Sequence, residues 1–345
     1  MKGKQINHAF RGMKKFLSSL TIKLQMSDSR NILFVLLFCI GFCGKSQTGL
    51  TEIAQFGNNP GNLLFYIHEP AVKKEKMPLV VALHGCNQDA ATISKQSGWN
   101  KLADENGFIV IYPQQRFFNN PSSCFNWFKE NDITRNSGES GSIKQMIDYM
   151  CASYSIDKSK IFAYGLSAGA VMTSALLADY PETFNAGAIL AGGPFYPTGI
   201  MNAMSGMLKP KSKSSREWGE IVLTQNPGYK NNFPRVIIVH GKKDIVVSPK
   251  NSYELIKQWA YVLHTDTFPA KTIKNFANNK DIDRKSFADK EKTEQIIFYE
   301  INGLGHALPV DPGDTPGKGG ATGLFSVDKD FFSTYWIAKD FGLLK

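Results

Sequence analysis

Three residues of this chain have the types and the order for nucleophilic chemistry: a serine flanked by glycines, an aspartate, and a late histidine. The serine is Ser167, in Gly165-Leu166-Ser167-Ala168-Gly169. The apolar run Ile161-Phe162-Ala163-Tyr164 precedes it, and a small-residue, helix-like stretch from Ala170 to Asp179 follows. Strand, sharp turn and helix in that order make an elbow that lifts a serine above a sheet. The turn is tight enough to exclude flanking side chains, a need that Gly165 and Gly169 meet. The helix start behind Ser167 favours negative charge beside it. Asp244 and His306 come later, each just beyond an apolar run (Val236–Gly241 and Gln295–Tyr299).

The chemistry those three could share is acyl transfer. A neutral hydroxyl is a poor nucleophile, so His306 would take its proton during attack and return it to the leaving group. Asp244 would fix the tautomer of the ring and stabilise its cation. The oxyanion of a tetrahedral intermediate needs preorganised donors, for which the backbone N–H groups of Ala168 and Cys86 are the candidates. The other histidines fit less well. His8 lies in a basic leader, and His68 and His264 lack a glycine-rich setting. His84 and His240 each precede a glycine at a strand end, where an imidazole often only ties down backbone. Asp281, Asp283 and Asp311 are the rival acids. No His pair or Cys cluster has metal-ligand spacing, and no glycine pattern suits a nucleotide, so neither metal nor cofactor is expected.

These residues need a scaffold that gathers strand ends. The runs Leu63–His68, Pro78–Leu83, Phe108–Tyr112, Ala186–Ala191, Val236–Gly241 and Gln295–Tyr299 read as strands, together with the one leading to Ser167. Continuous apolar runs such as Pro78–Leu83 are the mark of strands covered on both faces. Helical periodicity falls between them, at Ser97–Glu105, Ser142–Tyr154, Ala170–Asp179, Ser252–Leu263 and Phe331–Phe341. The alternation predicts an α/β fold with a mostly parallel central sheet and helices on both faces. In such sheets functional groups collect at the carboxyl ends of the strands. The order Ser, Asp, His is that of an α/β-hydrolase. The stretch from Phe195 to Phe233 has little strand pattern; Met201, Met204 and Met207 stand at helical spacing, and Lys209–Arg216 is a basic run expected to be a solvated face.

The 345 residues carry a net charge of +10, which looks at first like a nucleic-acid signal. Eight of the 40 Lys and Arg, and only one acid (Asp28), lie in residues 1–46. The remainder holds 32 basic and 29 acidic residues, so the body has no broad footprint for a polyanion. Residues 1–46 read as an export signal with a long basic region. The eleven-residue apolar run Ile32–Phe42 is too short to span a bilayer, and Gly44-Lys45-Ser46 offers a cleavage site before Gln47. A retained anchor and lipidation at Cys43 are the alternatives. Residues 47–345 then form a single domain in an oxidising, secreted setting. Cleavage removes Cys39 and Cys43. Of the three cysteines left, Cys86 at a strand end is paired with Cys124 in the loop after the next strand, leaving Cys151 as a buried core thiol. That loop, Gln114–Ser140, is dense in aromatics; Phe125 and Trp127 are candidate walls of a substrate cleft, with a loop pinned to the core as the alternative.

Five segments together resemble one family, the esterases of polyhydroxybutyrate-depolymerase type: Pro78–Gln88 (PLVVALHGCNQ), Cys124–Phe128 (CFNWF), Ile161–Gly169 (IFAYGLSAG), His240–Pro249 (HGKKDIVVSP) and Gly303–Pro312 (GLGHALPVDP). The likeness runs over about residues 56–345, and the family is similar to feruloyl and acetylxylan esterases. The resemblance implies Ser167, Asp244 and His306 as catalytic triad, the Cys86 amide in the oxyanion hole and the Cys86–Cys124 bridge. The implied substrate is a carboxylic ester, either a short-chain polyhydroxyalkanoate or its oligomers, or else an acylated plant polysaccharide. No nucleic acid and no membrane association beyond export are expected. The chain departs from the family in having Ala170 where many relatives have a third glycine. It also lacks the further cysteines that several relatives carry near Phe195–Pro197, Met204–Met207 and the C-terminus. No polymer-binding module follows within these residues, so action on crystalline polyester is not expected. A peptidase on the same fold and a non-catalytic binding protein are the readings from other classes.

Overall fold

The computed structural model describes residues 49–196 and 199–344. The expected leader, its cleavage site, His8, Cys39 and Cys43 lie outside them.

A ten-stranded sheet runs through the molecule. Its strands are β1 (Thr51–Glu52), β2 (Leu64–His68), β3 (Met77–Leu83), β4 (Ile109–Gln114), β5 (Ile156–Leu166), β6 (Ala186–Leu190), β7 (Arg235–Gly241), β8 (Lys271–Ile273), β9 (Ile282–Ala288) and β10 (Glu294–Ile301). They lie in the order β1-β2-β4-β3-β5-β6-β7-β10-β9-β8. The stretch from β4 to β10 is parallel throughout. Antiparallel pairs close both edges. The fold is that of an α/β-hydrolase, and the central strands are apolar because helices cover both sides. All seven residues of β3 are buried, whereas the outer β2 alternates between buried and half-buried positions.

Alternation along each strand splits the core in two. Leu79, Val81, Leu83, Ile161 and Ala163 face α3 (Gly138–Ser153), α4 (Ala168–Asp179), α6 (Ser215–Leu223) and α7 (Lys250–Val262). Val80, Ala82, Phe162, Tyr164 and Leu166 face α1 (Ala90–Ser97), α2 (Trp99–Asn106) and α8 (Ser333–Asp340). A further helix, α5 (Ile200–Leu208), leads towards the basic run. None of the helices among the described residues is long and apolar enough to cross a membrane.

Several elements differ from the sequence expectation. The helix expected over Ser97–Glu105 is α2, and a second, unexpected helix, α1, precedes it, the two being separated at Gly98. Its φ of 70° is left-handed, and a Cβ there would meet the Gly320 amide nitrogen at 2.7 Å. The basic run Lys209–Arg216 leads straight into α6, which buries Trp218 and Val222. The polar segment before β10 holds the hairpin of β8 and β9, which extends the sheet beyond the parallel strands. Cys151 is half-buried rather than buried: it packs at the border of the α3-side core.

Candidate active site

Ser167 stands between β5 and α4 with φ 55° and ψ −116°, a strained backbone that the surrounding chain holds in place. Its N–H donates to Leu190 O on β6 at 2.9 Å, and its own carbonyl accepts the first turn of α4 from Ala170 and Val171. The flanking glycines are sterically required. A Cβ on Gly165 would lie 2.2 Å from Gly169 O, and one on Gly169 would lie 2.5 Å from Leu83 O. Chain crossings this close leave no space for a methyl group.

His306 reaches Ser167 from the loop after β10. Its Nε2 is 2.9 Å from Ser167 Oγ, and its Nδ1 is 2.8 Å from Asp244 Oδ2. In this arrangement Nδ1–H donates to the carboxylate and Nε2 is free to accept from the hydroxyl. Asp244 follows β7 and is buried. Its other oxygen accepts the N–H groups of Val246 at 2.9 Å and Val247 at 2.8 Å. Burial by itself would raise this carboxyl. Hydrogen bonds from His240, His306 and the Val247 N–H outweigh it and hold Asp244 well below the usual carboxylate range. The three residues thus arrive on β5, β7 and β10 and meet at one point above the sheet.

Gly85 packs beside the serine: a Cβ built on it would be 3.4 Å from Ser167 Cβ. The N–H groups of Cys86 and Ala168 take no partner among the described residues. Cys86 is disulfide-bonded to Cys124, with the two Cα atoms 4.1 Å apart. His84 is fully buried and neutral; burial pushes its pKa down to about 4. Its Nδ1–H donates to Gly85 O at 2.8 Å and its Nε2 accepts the Gln115 N–H at 3.1 Å. It therefore ties backbone to backbone, whereas His240 Nε2 faces both Val247 O at 3.0 Å and Asp244 Oδ2 at 3.4 Å and so supports the acid. The rival acids are spent on lysines: Asp281 on Lys329, Asp283 on Lys274 and Asp311 on Lys318. Asp311, Asp328 and Asp330 cluster, but Lys318 already occupies the first.

Phe125 is not a cleft wall. It is fully buried, its ring 4.8 Å from that of His84. Two ties pull this segment inward: the Cys124 bridge and the buried Glu139. Glu139 Oε2 accepts Asn126 N–H at 2.7 Å, and its Oε1 accepts Asn126 Nδ2 at 2.7 Å and Gln115 Nε2. Gln115 Nε2 also donates to Cys124 O at 3.1 Å. Trp127 is largely buried too, though it lines a cavity with Tyr196 and Trp218. Sequence reasoning missed Glu139 and Gln115. It also missed two apolar groups: Ile245, 87% exposed and next to Asp244 in the chain, and Phe325, whose ring is 6.1 Å from that of His306.

A family described as esterase PHB depolymerase matches residues 63–273. Poly(3-hydroxyalkanoate) depolymerase C of Paucimonas lemoignei is 38% identical over 318 residues, covering 91% of this chain and 75% of that protein. An acetylxylan esterase of Coprinopsis cinerea is 34% identical over 270 residues, 75% of this chain and 69% of its own length. Among solved structures, an acetyl xylan esterase from Aspergillus awamori superposes with a TM-score of 0.68 at 29% identity. It covers 74% of this chain and 93% of that one.

Proposed function

Since this chain belongs to the esterase PHB depolymerase family and is a carboxylic ester hydrolase, we propose that Ser167, His306 and Asp244 are its catalytic triad and that short-chain polyhydroxyalkanoate, as amorphous polymer or oligomers, is its substrate. The observation that carries the triad is the placement of His306 between the other two, with one ring nitrogen on each. Ser167 Oγ attacks the ester carbonyl while its proton passes to His306 Nε2. Asp244 stabilises the resulting imidazolium. The oxyanion is received by the N–H groups of Cys86 and Ala168. Collapse expels the alcohol, which takes the proton from His306 and leaves the acyl group on Ser167. Water, deprotonated by the same nitrogen, then releases the acid and restores the hydroxyl.

Two observations favour the polyester. The depolymerase relative matches over more of the chain than the acetylxylan esterase does. The exposed groups that directly follow Asp244 in the chain, Ile245 and Val246, are aliphatic. They suit a chain of methyl and methylene groups better than a sugar, which calls for hydrogen-bonding side chains. The second reading, release of acetyl or feruloyl groups from plant polysaccharide, is favoured by the acetyl xylan esterase superposition. Export of the single domain 47–345 after cleavage behind Ser46 belongs to the same proposal. The Cys86–Cys124 bridge supports it, because such bonds persist in oxidising compartments.

The test is turnover of amorphous polyhydroxybutyrate, p-nitrophenyl butyrate, methyl ferulate and acetylated xylan by the wild type and by Ser167→Ala. Hydroxybutyrate release that vanishes in the variant is the expected result. Preference for ferulate or acetylxylan would move the assignment to the second reading.

A further inference from the structure

A cavity of about 100 Å³ opens between the loop after β6 and the segment joining α5 to α6. Its walls are aromatic: Trp127, Tyr196 and Trp218 line it. The Trp218 Nε1–H donates to Glu254 Oε2 at 2.6 Å, so that ring offers the cavity no donor of its own. Lys209, Lys211 and Lys213 line it as well, and no carboxylate does. The Lys213 ammonium sits over the rings of Tyr196, at 5.3 Å, and Trp218, at 5.7 Å. Lys209 and Lys211 form no ion pair among the described residues. Glu254, the acid nearest by hydrogen bonding, is paired with Lys257 at 2.8 Å. The cavity is therefore cationic, apolar-walled and small.

Hydrogen bonds also join its surroundings to the segment after Asp244 and to α4. The Met207 carbonyl, in its lining, accepts the N–H of Ser248 at 2.7 Å and Asn251 Nδ2 at 2.8 Å. Ser248 directly follows Val247, whose N–H holds Asp244. On the other side, Gly193 O accepts Ser174 Oγ from α4, the helix that starts at Ser167.

We propose that this cavity is a subsite for the free carboxylate end of a hydroxyalkanoate oligomer. Lys209 and Lys211 would receive the carboxylate, and Trp127, Pro194 and Met207 the short aliphatic unit behind it, with Lys213 held over Tyr196 and Trp218. The volume suits one terminal unit and not a passing polymer strand. The assignment rests on the polyester reading above and adds to it a preference for chain ends bearing a carboxylate.

Binding and turnover separate the two claims. The Ser167→Ala variant is titrated calorimetrically with the 3-hydroxybutyrate trimer as free acid and as methyl ester, while wild-type turnover of both trimers is followed by product release. The free acid should bind about fivefold more tightly than the ester, the scale of one partly exposed ion pair. Adding Lys209→Gln and Lys211→Gln should remove that difference. Adding Lys230→Gln and Lys290→Gln, which lie in a different cavity, should leave it intact. Equal affinity for acid and ester, or equal loss from both lysine pairs, would overturn the subsite. Preference for the free acid without wild-type cleavage of either trimer would uphold a carboxylate subsite and overturn the polyester reading.

Discussion

The backbone of Gly165 passes so near Gly169 that a methyl group on the first would sit 2.2 Å from the carbonyl oxygen of the second. Thr173 Oγ1 crowds the same spot at 2.6 Å. The Gly165→Ala substitution should therefore cost roughly 3 kcal/mol or more, at the upper end for overpacking. Gly169→Ala, blocked by Leu83 O, should behave alike. Urea unfolding midpoints measure both. A loss below about 1 kcal/mol would mean that the elbow relaxes, contrary to the close contacts described.

Ser167→Ala should lower kcat for p-nitrophenyl butyrate by roughly 10⁴-fold or more. Its fold should persist, because alanine retains the Cβ and the positive φ costs either residue about the same. Circular dichroism melts beside the kinetics would check both halves. Residual activity within tenfold of wild type would remove Ser167 from the proposed role.

Asp244→Asn keeps the shape of the side chain but cannot serve all its donors. Val246 N–H, Val247 N–H and His306 Nδ1–H all point at it. The amide must turn its NH₂ towards one of them, which upsets the tautomer of His306. A fall in kcat of roughly 10³- to 10⁴-fold is expected, with KM little changed. Equal loss in kcat and gain in KM would instead indicate a disturbed binding surface.

The Cys86–Cys124 bond closes a loop with a sequence separation of 38. By chain entropy it contributes about 4 kcal/mol of stability. Paired Cys86→Ser and Cys124→Ser substitutions should lower the unfolding midpoint accordingly. They should also reduce kcat under fully native conditions, since the bridge secures the peptide whose N–H is proposed to receive the oxyanion. Wild-type kcat in the folded double variant would show that backbone hydrogen bonds alone hold that peptide.

Glu139 makes stability depend on pH. Burial, helped by the Asp132 charge, pushes its pKa up to about 8 against the hydrogen bonds from Asn126 and Gln115. An acid whose folded pKa lies above its unfolded value near 4.5 stabilises the fold most below that value, and the contribution is lost as pH rises towards 8. Asp244 has the opposite sign, but its window lies below the ordinary carboxylate range and does not overlap. Buried His84, with its pKa pushed down to about 4, gains stability as pH rises towards 6.5 and offsets Glu139 there, so unfolding free energy should decline mainly between about pH 6.5 and pH 8. Glu139→Gln should flatten this slope. It should also cost about 1–3 kcal/mol, because its NH₂ would face donors from Asn126 and Gln115. Denaturation series at four pH values would test it, and an unchanged slope in the variant would assign the dependence to other groups.

The hydrogen-bonded set of Ser167, His306 and Asp244 and the parallel strands were legible because both write themselves in short range. Glycines around Ser167, an acid and a histidine just past apolar runs, and both-face burial of β3 all show within a few residues. Glu139 was not legible. An acid in the first turn of a helix is ordinary dipole complementation, and only the distant Gln115 and Asn126 reveal it as a buried tie. Phe125 misled for a related reason: an aromatic in a polar loop looks like a wall until the Cys124 bridge and Glu139 draw it under His84. The helix α6 carried a sequence signal that the basic run obscured, namely the capping box of Ser214 and Glu217. The hairpin of β8 and β9 carried little, since KTI and IDRKSFA are too polar for a buried strand and Asn275, Ala277 and Asn278 turn through positive φ.

The spacing of the triad along the chain has a consequence in time. Ser167 and His306 touch although 139 residues separate them, and β6, β7 and β10 must be laid down in between before the histidine can reach the serine. The elbow itself needs β6, whose Leu190 carbonyl accepts the Ser167 N–H, and the proposed base comes 139 residues after the serine. On the proposed triad, ester-cleaving activity therefore switches on late in the synthesis of each molecule, and a chain halted before His306 should show none.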